Sequence, residues 1–266
     1  VTDLIADVRA EYEALHAFLA ALPEPAWTRR TVFFDWTVAD EVMHLHLVDR
    51  FGLQALTGDR EAFAALVAEV RAGQAQGREL SHVMRERYGA LAPAALLEAW
   101  RNGYDDLLAR LAQAEPAARM PWFGPDMAVS AFAGARQMEV WAHGQDIYDL
   151  MRVRRPIHPR LRNICELGVR TQGWSFRNRG LERPAPPRVT LGGPDDAVWT
   201  WNDTAEETIV GPAEDFALVV TQRRHADDTA LTVSGAGARR WMEIAQCFAG
   251  APETGPAPGV RQVSYG

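Results

Sequence analysis

The chain is 266 residues long, with 47% apolar and 24% charged residues and a formal net charge of −7, a globular composition whose acidic balance argues against a nucleic-acid groove. Lysine does not occur, so all 28 basic residues are arginine; mechanisms that need a lysine at the reacting centre, among them Schiff-base, pyridoxal-phosphate and P-loop chemistry, are excluded. No apolar run approaches the roughly 20 residues needed to cross a bilayer, and the first residues, V-T-D-L-I-A-D, are amphipathic at once; the expectation is a cytoplasmic protein with neither membrane nor nucleic-acid partner.

From Asp3 to Leu22 apolar residues recur at Leu4, Ile5, Val8, Tyr12, Leu15, Phe18, Leu19 and Leu22, which predicts an amphipathic helix closed by Pro23 and Pro25. An aromatic loop with Trp27, Phe33, Phe34 and Trp36 follows. Thr37 then reads as an N-cap with Asp40 three residues on, a variant capping box that opens a second helix to about Leu56. Asp59 caps a third helical stretch that continues in some form to Arg87, and Pro93 in a first turn starts another that ends near Ala114. After the rigid aromatic stretch M-P-W-F-G-P-D-M, a proline-free helix is expected over Val129 to Leu150. These segments predict a four-helix bundle for residues 1–155.

The character changes at R-V-R-R-P-I-H-P, a connector. A helix from Pro159 to Asn178 and a Pro/Gly-rich segment precede β-rich pieces at Arg188–Leu191, Val198–Asn202, Glu207–Gly211 and Ala230–Ser234, with helices at about Pro212–Gln222 and Ala238–Ala249. Residues 156–266 thus read as a small α+β domain. The basic clusters Arg152–Arg155 and Arg223-Arg224 read as solvated surface. The G-A-G turn after Leu231 lacks the third glycine of a dinucleotide fingerprint, since Arg240 stands there, although its N–H groups can still hold a carboxylate. Cys165 and Cys247 form no C-x-x-C pair and read as buried thiols, so any sulfur chemistry takes its thiol from outside.

In the helix R-Q-M-E-V-W-A-H-G-Q-D, Glu139 and His143 are i and i+4, which aims a carboxylate and an imidazole at one point. Both suit a borderline divalent metal such as zinc, but a structural Glu–His hydrogen bond explains the pair equally well, and a metal needs a third ligand. The second helix offers His44 and His46, which are roughly 200° apart, so only one faces the bundle axis. His44 is favoured because Asp40, one turn earlier, can accept from its ring N–H. Arg136 and Asp146, i−3 from Glu139 and i+3 from His143, are expected to support the site or the fold.

The segments W-T-V-A-D-E-V-M-H-L at Trp36–Leu45, P-W-F-G-P at Pro121–Pro125 and R-x-M-E-x-W-A-H-G-x-D at Arg136–Asp146 resemble the signatures of the mycothiol-dependent maleylpyruvate isomerase-like family, a branch of the DinB/YfiT-like metal-binding bundles. The resemblance implies His44, Glu139 and His143 as ligands of a divalent metal, usually zinc, with mycothiol as co-substrate. Gly211–Arg223 with the following L-T-V-S-G-A-G-A-R-R-W is similar to the family's sterol-carrier-like C-terminal domain, which suggests Arg223 as a functional arginine. The implied activity is that of a metal-dependent enzyme which activates a low-molecular-weight thiol, or water, for isomerisation or S-transfer on a small organic substrate. Two alternatives stay open: a metal-dependent hydrolase, lyase or cyclase without a thiol, and a non-catalytic metal-binding protein. A homodimer is compatible with the sequence.

Overall fold

A computed structural model describes residues 4–123 and 126–265; Asp3 of the expected first helix and Gly124 and Pro125 of the expected aromatic loop lie outside the described residues. Two units divide the chain, Val1–Leu150 and Met151–Gly266. The first contains α1 (Leu4–Ala20), α2 (Val38–Ala55), α3 (Arg60–Ala75), α4 (Leu80–Tyr88), α5 (Pro93–Gln113) and α6 (Val129–Met151). Helix α5 packs against α1 and α2, while α3 and α4 lie along α2. Helix α6 completes the bundle, with Phe18 of α1 stacked on its Tyr148 at 3.9 Å between ring centroids.

The start of α2 forms as its residues dictate. Thr37 accepts from the Asp40 N–H, and Asp40 reaches back to the Thr37 N–H, a complete capping box. The same carboxylate receives Arg85 Nε at 2.7 Å. Burial acts to raise the Asp40 pKa, but the bonds from Arg85 and Thr37 outweigh it and leave the carboxyl below its ordinary value. A carboxyl depressed by folding contributes stability above its unfolded pKa, and that stability is lost as pH falls through the folded value. Asp40→Asn is therefore expected to be less stable than the parent at pH 7 and to approach it below about pH 4, as read from urea midpoints at the two pH values.

Helices α2 and α6 approach closely where α2 has no side chain. A Cβ on Gly52 would overlap the ring of Phe132, which is itself buried. Gly52→Ala is expected to destabilise the protein by about 1–3 kcal/mol despite alanine's better helix propensity, a result checked by chemical denaturation. The bundle also buries a polar cluster. Asp49 accepts from Tyr12 Oη at 2.6 Å, Trp100 Nε1 at 3.1 Å and Arg136 Nε at 3.0 Å.

Two local expectations take definite form. The helical stretch after Asp59 divides into α3 and α4, because Gly77 (φ +78°) turns the chain after Gln76. The aromatic loop contains a short antiparallel pair, β1 (Arg119–Met120) with β2 (Met127–Ala128), and its Trp122 and Phe123 rings pack on Phe63, Phe132 and Phe51.

In the second unit β3 (Arg188–Gly192), β4 (Val198–Trp201), β5 (Thr208–Pro212) and β6 (Thr232–Ser234) form one sheet in the order β4-β3-β5-β6; β3 and β5 are parallel and the other neighbours antiparallel. Val189 and Leu191 of β3 are fully buried, and α9 (Ala213–Val220) packs against β3 and β5. The helix expected over Pro159–Asn178 is interrupted, giving α7 (Leu161–Arg170) and α8 (Gln172–Arg177). Thr171 between them turns its hydroxyl back onto the Leu167 and Gly168 carbonyls. Helix α10 (Ala236–Ile244) starts in the G-A-G turn, where Glu207 accepts from Gly237 N at 3.1 Å and Ala238 N at 2.7 Å. The chain's own carboxylate thus takes the anion position of that turn.

The arginines read as solvated are in part buried. Arg155, Arg223 and Arg224 are 6%, 4% and 7% exposed. Carbonyls make this tolerable: Arg223 Nη1 donates to Thr221 O and Arg224 Nη1 to Arg223 O, each at 2.7 Å. Cys165 and Cys247 are both buried, as expected. Among the described residues no helix is long and apolar enough to cross a membrane. An N-terminal helical bundle followed by a small α+β unit is the architecture expected from the sequence.

Candidate metal centre

Helices α2 and α6 bring together residues roughly a hundred positions apart. Glu139 Oε2 lies 3.4 Å from His44 Nε2 and 3.2 Å from His143 Nε2, and the two imidazoles are 4.4 Å apart between ring centroids. One donor atom from each of the three residues fits within a mutual spacing of 4.8 Å. Ligands at zinc-to-nitrogen and zinc-to-oxygen bond lengths in a tetrahedron sit about 3.3 Å apart, so both measured edges suit an ion held between them. The donor set of two imidazoles and one carboxylate leaves a fourth position, as catalytic sites do.

Electrostatics leaves two of these groups in states that suit a metal ion. Burial first, and then the neighbouring His143, lowers the His44 pKa to about 4, so its ring is neutral at neutral pH. For Glu139 burial acts in the opposite sense, but its bonds to His143 and His44 outweigh it and hold the carboxyl well below the ordinary range. A neutral imidazole and an ionised carboxylate are the states that bind a metal.

A tight loop walls one side. Thr31 N donates to Trp36 O at 2.7 Å and Trp36 N to Phe33 O at 2.9 Å, while Phe34 and Asp35 adopt positive φ to turn the chain between them. The loop lays Trp36 nearly parallel to His143 at 6.0 Å and sets Phe33 edge-on to it at 5.1 Å. Trp36 also lies 5.3 Å from His44.

The expected support for His44 is absent. Asp40 is committed to Thr37 and Arg85, and His44 Nδ1 has no hydrogen-bond partner among the described residues. A capping carboxylate folds back over the first turn and is not offered to the residue one turn ahead. Glu41, on the other hand, meets His143: its Oε2 is 2.7 Å from Nδ1, and its Oε1 is 2.7 Å from Thr31 Oγ1. The signal for Glu41 was its i,i+3 spacing from His44 on α2, which places it beside the same helix face. Burial pushes the Glu41 carboxyl up against the pull of the His143 bond.

Of the other residues singled out, His46 turns to the far side of α2. It packs edge-on to Tyr88 at 4.6 Å in a space that Gly103 leaves open. Arg136 is buried beneath the site, bonded to Asp49 and, at 3.3 Å, to the Leu45 carbonyl. Asp146 is buried and forms a second close acidic group with Glu41 and His143. Arg223 belongs to the second unit.

Comparison with known proteins gives three results. A family model described as the mycothiol maleylpyruvate isomerase N-terminal domain matches residues 8–148. Uncharacterized proteins from two strains of Mycobacterium tuberculosis are each 39% identical over 253 residues, covering 94% of this chain and 97% of theirs. Crystal structures of the mycothiol-dependent maleylpyruvate isomerase and of a histidine-to-alanine variant of it match with TM-scores of 0.53 and 0.54 at 13% and 12% identity, each covering 89% of this chain and 92% of that one; the likeness is one of fold.

Proposed function

Because the chain belongs to the mycothiol maleylpyruvate isomerase N-terminal domain family, we propose that it is a divalent-metal-dependent enzyme that uses a mycothiol-type thiol to isomerise a small organic substrate or to transfer sulfur to it. The observation that carries this reading is the convergence of His44 Nε2 and His143 Nε2 on Glu139 Oε2 at 3.4 and 3.2 Å. His44, Glu139 and His143 would hold the ion, for which zinc is our proposal because it readily takes two imidazoles and a carboxylate. When bound, the metal lowers the pKa of a thiol at its open position, so that a thiolate exists at neutral pH.

The protein's own groups do the rest. The neutral His44 ring keeps a lone pair for the ion at neutral pH, and the Trp36 and Phe33 rings shield the His143 side of the centre from water. In an isomerisation the thiolate sulfur adds to one carbon of a double bond conjugated to a carbonyl, and the π pair moves to the carbonyl oxygen as an enolate. Rotation about the resulting single bond follows. Return of the pair then re-forms the double bond in the other geometry and expels the thiolate, with no net change in atoms. Arg223 is proposed as a cation that recognises a carboxylate of substrate or thiol. A small-molecule substrate and a cytoplasmic setting belong to the same reading.

The direct test is titration of the cobalt-substituted protein with mycothiol. A thiolate-to-cobalt charge-transfer band is expected, together with thiol-dependent conversion of maleylpyruvate or a related cis-enedioate. Absence of both band and thiol binding would transfer the site to hydrolytic or lyase chemistry.

A further inference from the structure

The two imidazole nitrogens that meet at Glu139 Oε2 account for one edge of the His143 ring and leave open what fixes the other. That edge is met by Glu41, which is fully buried and lies 2.7 Å from Nδ1. The second oxygen of Glu41 is also engaged. The Thr31 hydroxyl accepts from the Phe33 N–H at 3.3 Å, and its own proton finds Glu41 Oε1 at 2.7 Å, against 3.5 Å for the Phe33 carbonyl. At those distances Glu41 is the acceptor.

We infer that Glu41 is a positioning residue of this centre: it accepts the Nδ1 proton of His143, and thereby fixes the ring's tautomer and turns its Nε2 lone pair toward Glu139 Oε2. The inference rests on reading the site as a metal centre. A neutral imidazole has one N–H, and the partner of one nitrogen decides what the other offers. With the proton on Nδ1, the Nε2 lone pair points toward Glu139 Oε2, 3.2 Å away, so that a cation between them would be held by both.

Two consequences follow for how the centre is organised. His143 is the anchored ligand, held on both edges of its ring, whereas His44, whose Nδ1 has no partner among the described residues, is the adjustable one. Helix α2 delivers both His44 and Glu41 from positions three apart, so its rotation sets one ligand and the orientation of another together. A rival use of Glu41 exists: with His143 and Asp146 it forms a second group of donors within 4.8 Å, which would bind a second cation.

The experiment compares the parent with Glu41→Gln and Glu41→Ala. Zinc affinity is measured by chelator competition, metal content by elemental analysis, and the tautomer of His143 in the metal-free protein by nitrogen-15 NMR of labelled histidine, with His143→Ala as the assignment control. Expected are one metal per parent chain, an affinity loss of about 10–100-fold in the variants with circular dichroism unchanged, and an Nδ1–H tautomer in the parent that Glu41→Ala loses. Affinity within twofold of the parent, or an Nε2–H tautomer in the parent, would overturn the inference. So would a parent content of two metals that falls to one in the variants. If the parent binds no metal, the metal reading fails by itself, and the NMR measurement still decides whether Glu41 sets the His143 tautomer.

Discussion

The parent is expected to carry roughly one equivalent of divalent metal, and His143→Ala to purify without it and to bind added zinc more than about 100-fold more weakly. The bound follows from the geometry. Loss of a group behind a ligand costs about 10–100-fold in affinity, and loss of the ligand itself removes a donor atom from the ion. His143 Nε2 sits 3.2 Å from Glu139 Oε2, and its loss leaves only His44 and Glu139 to hold the ion. Because the substitution also strips Glu41 of a buried partner, Glu139→Gln is the companion variant. It keeps the side chain's shape, removes the charge, and is expected to lose the metal as well while circular dichroism stays that of the parent. Elemental analysis and chelator competition read both. An unchanged metal content in either variant sinks the ligand assignment.

Asp49→Ala is expected to destabilise the protein by about 3–5 kcal/mol, visible in chemical denaturation and as a fall in Tm on the order of 10 °C. Asp49 and Arg136 are both buried, and the carboxylate carries bonds from Tyr12, Trp100 and Arg136 at 2.6–3.1 Å. Removing it strips the buried guanidinium of its carboxylate while the Leu45 carbonyl stays at 3.3 Å, which is the costly way to break a buried pair. The effect is expected to reach Glu139 as well, since Arg136 precedes it by one turn of α6. Replacement of Asp49 by asparagine keeps acceptor and shape and is expected to cost less. Equal losses for alanine and asparagine would assign the effect to charge alone.

The legible parts of this chain are those in which one residue's chemistry forces a local outcome. Thr37 and Asp40 announce the start of α2 because a hydroxyl and a carboxylate three apart satisfy the orphan N–H groups of a first turn. Pro93 begins α5 for a similar reason, lacking the N–H that a first turn cannot use. Glu139 and His143 share a face through helical periodicity alone. Less legible were choices between two local options of similar energy. Asp40 was expected behind His44, but its carboxylate is already spent on the cap and Arg85, and Glu41, one residue on, acts on the other histidine. Arg223 and Arg224 looked solvated because a charge pair on a sequence carries no sign of the carbonyls that will surround it.

The sequence by itself determined the class of the protein: a chain without lysine, too polar along its length to enter a membrane as a helix, with a helical first half whose stripes of 3.6-residue period must pack on one another and a second half of short alternating strands. It also determined that Glu139 and His143 point the same way, since that is a property of one helix. Tertiary structure alone decided what stands opposite them. His44, Glu41 and the Phe33–Trp36 loop come from chain about a hundred residues earlier, and the close approach of α2 to α6 that brings His44 and Glu41 within 2.7–3.4 Å of the pair is accompanied by Gly52 under Phe132 and the Asp49–Arg136 bond. Periodicity fixes directions within an element, whereas a distance between elements is set by how their side chains pack.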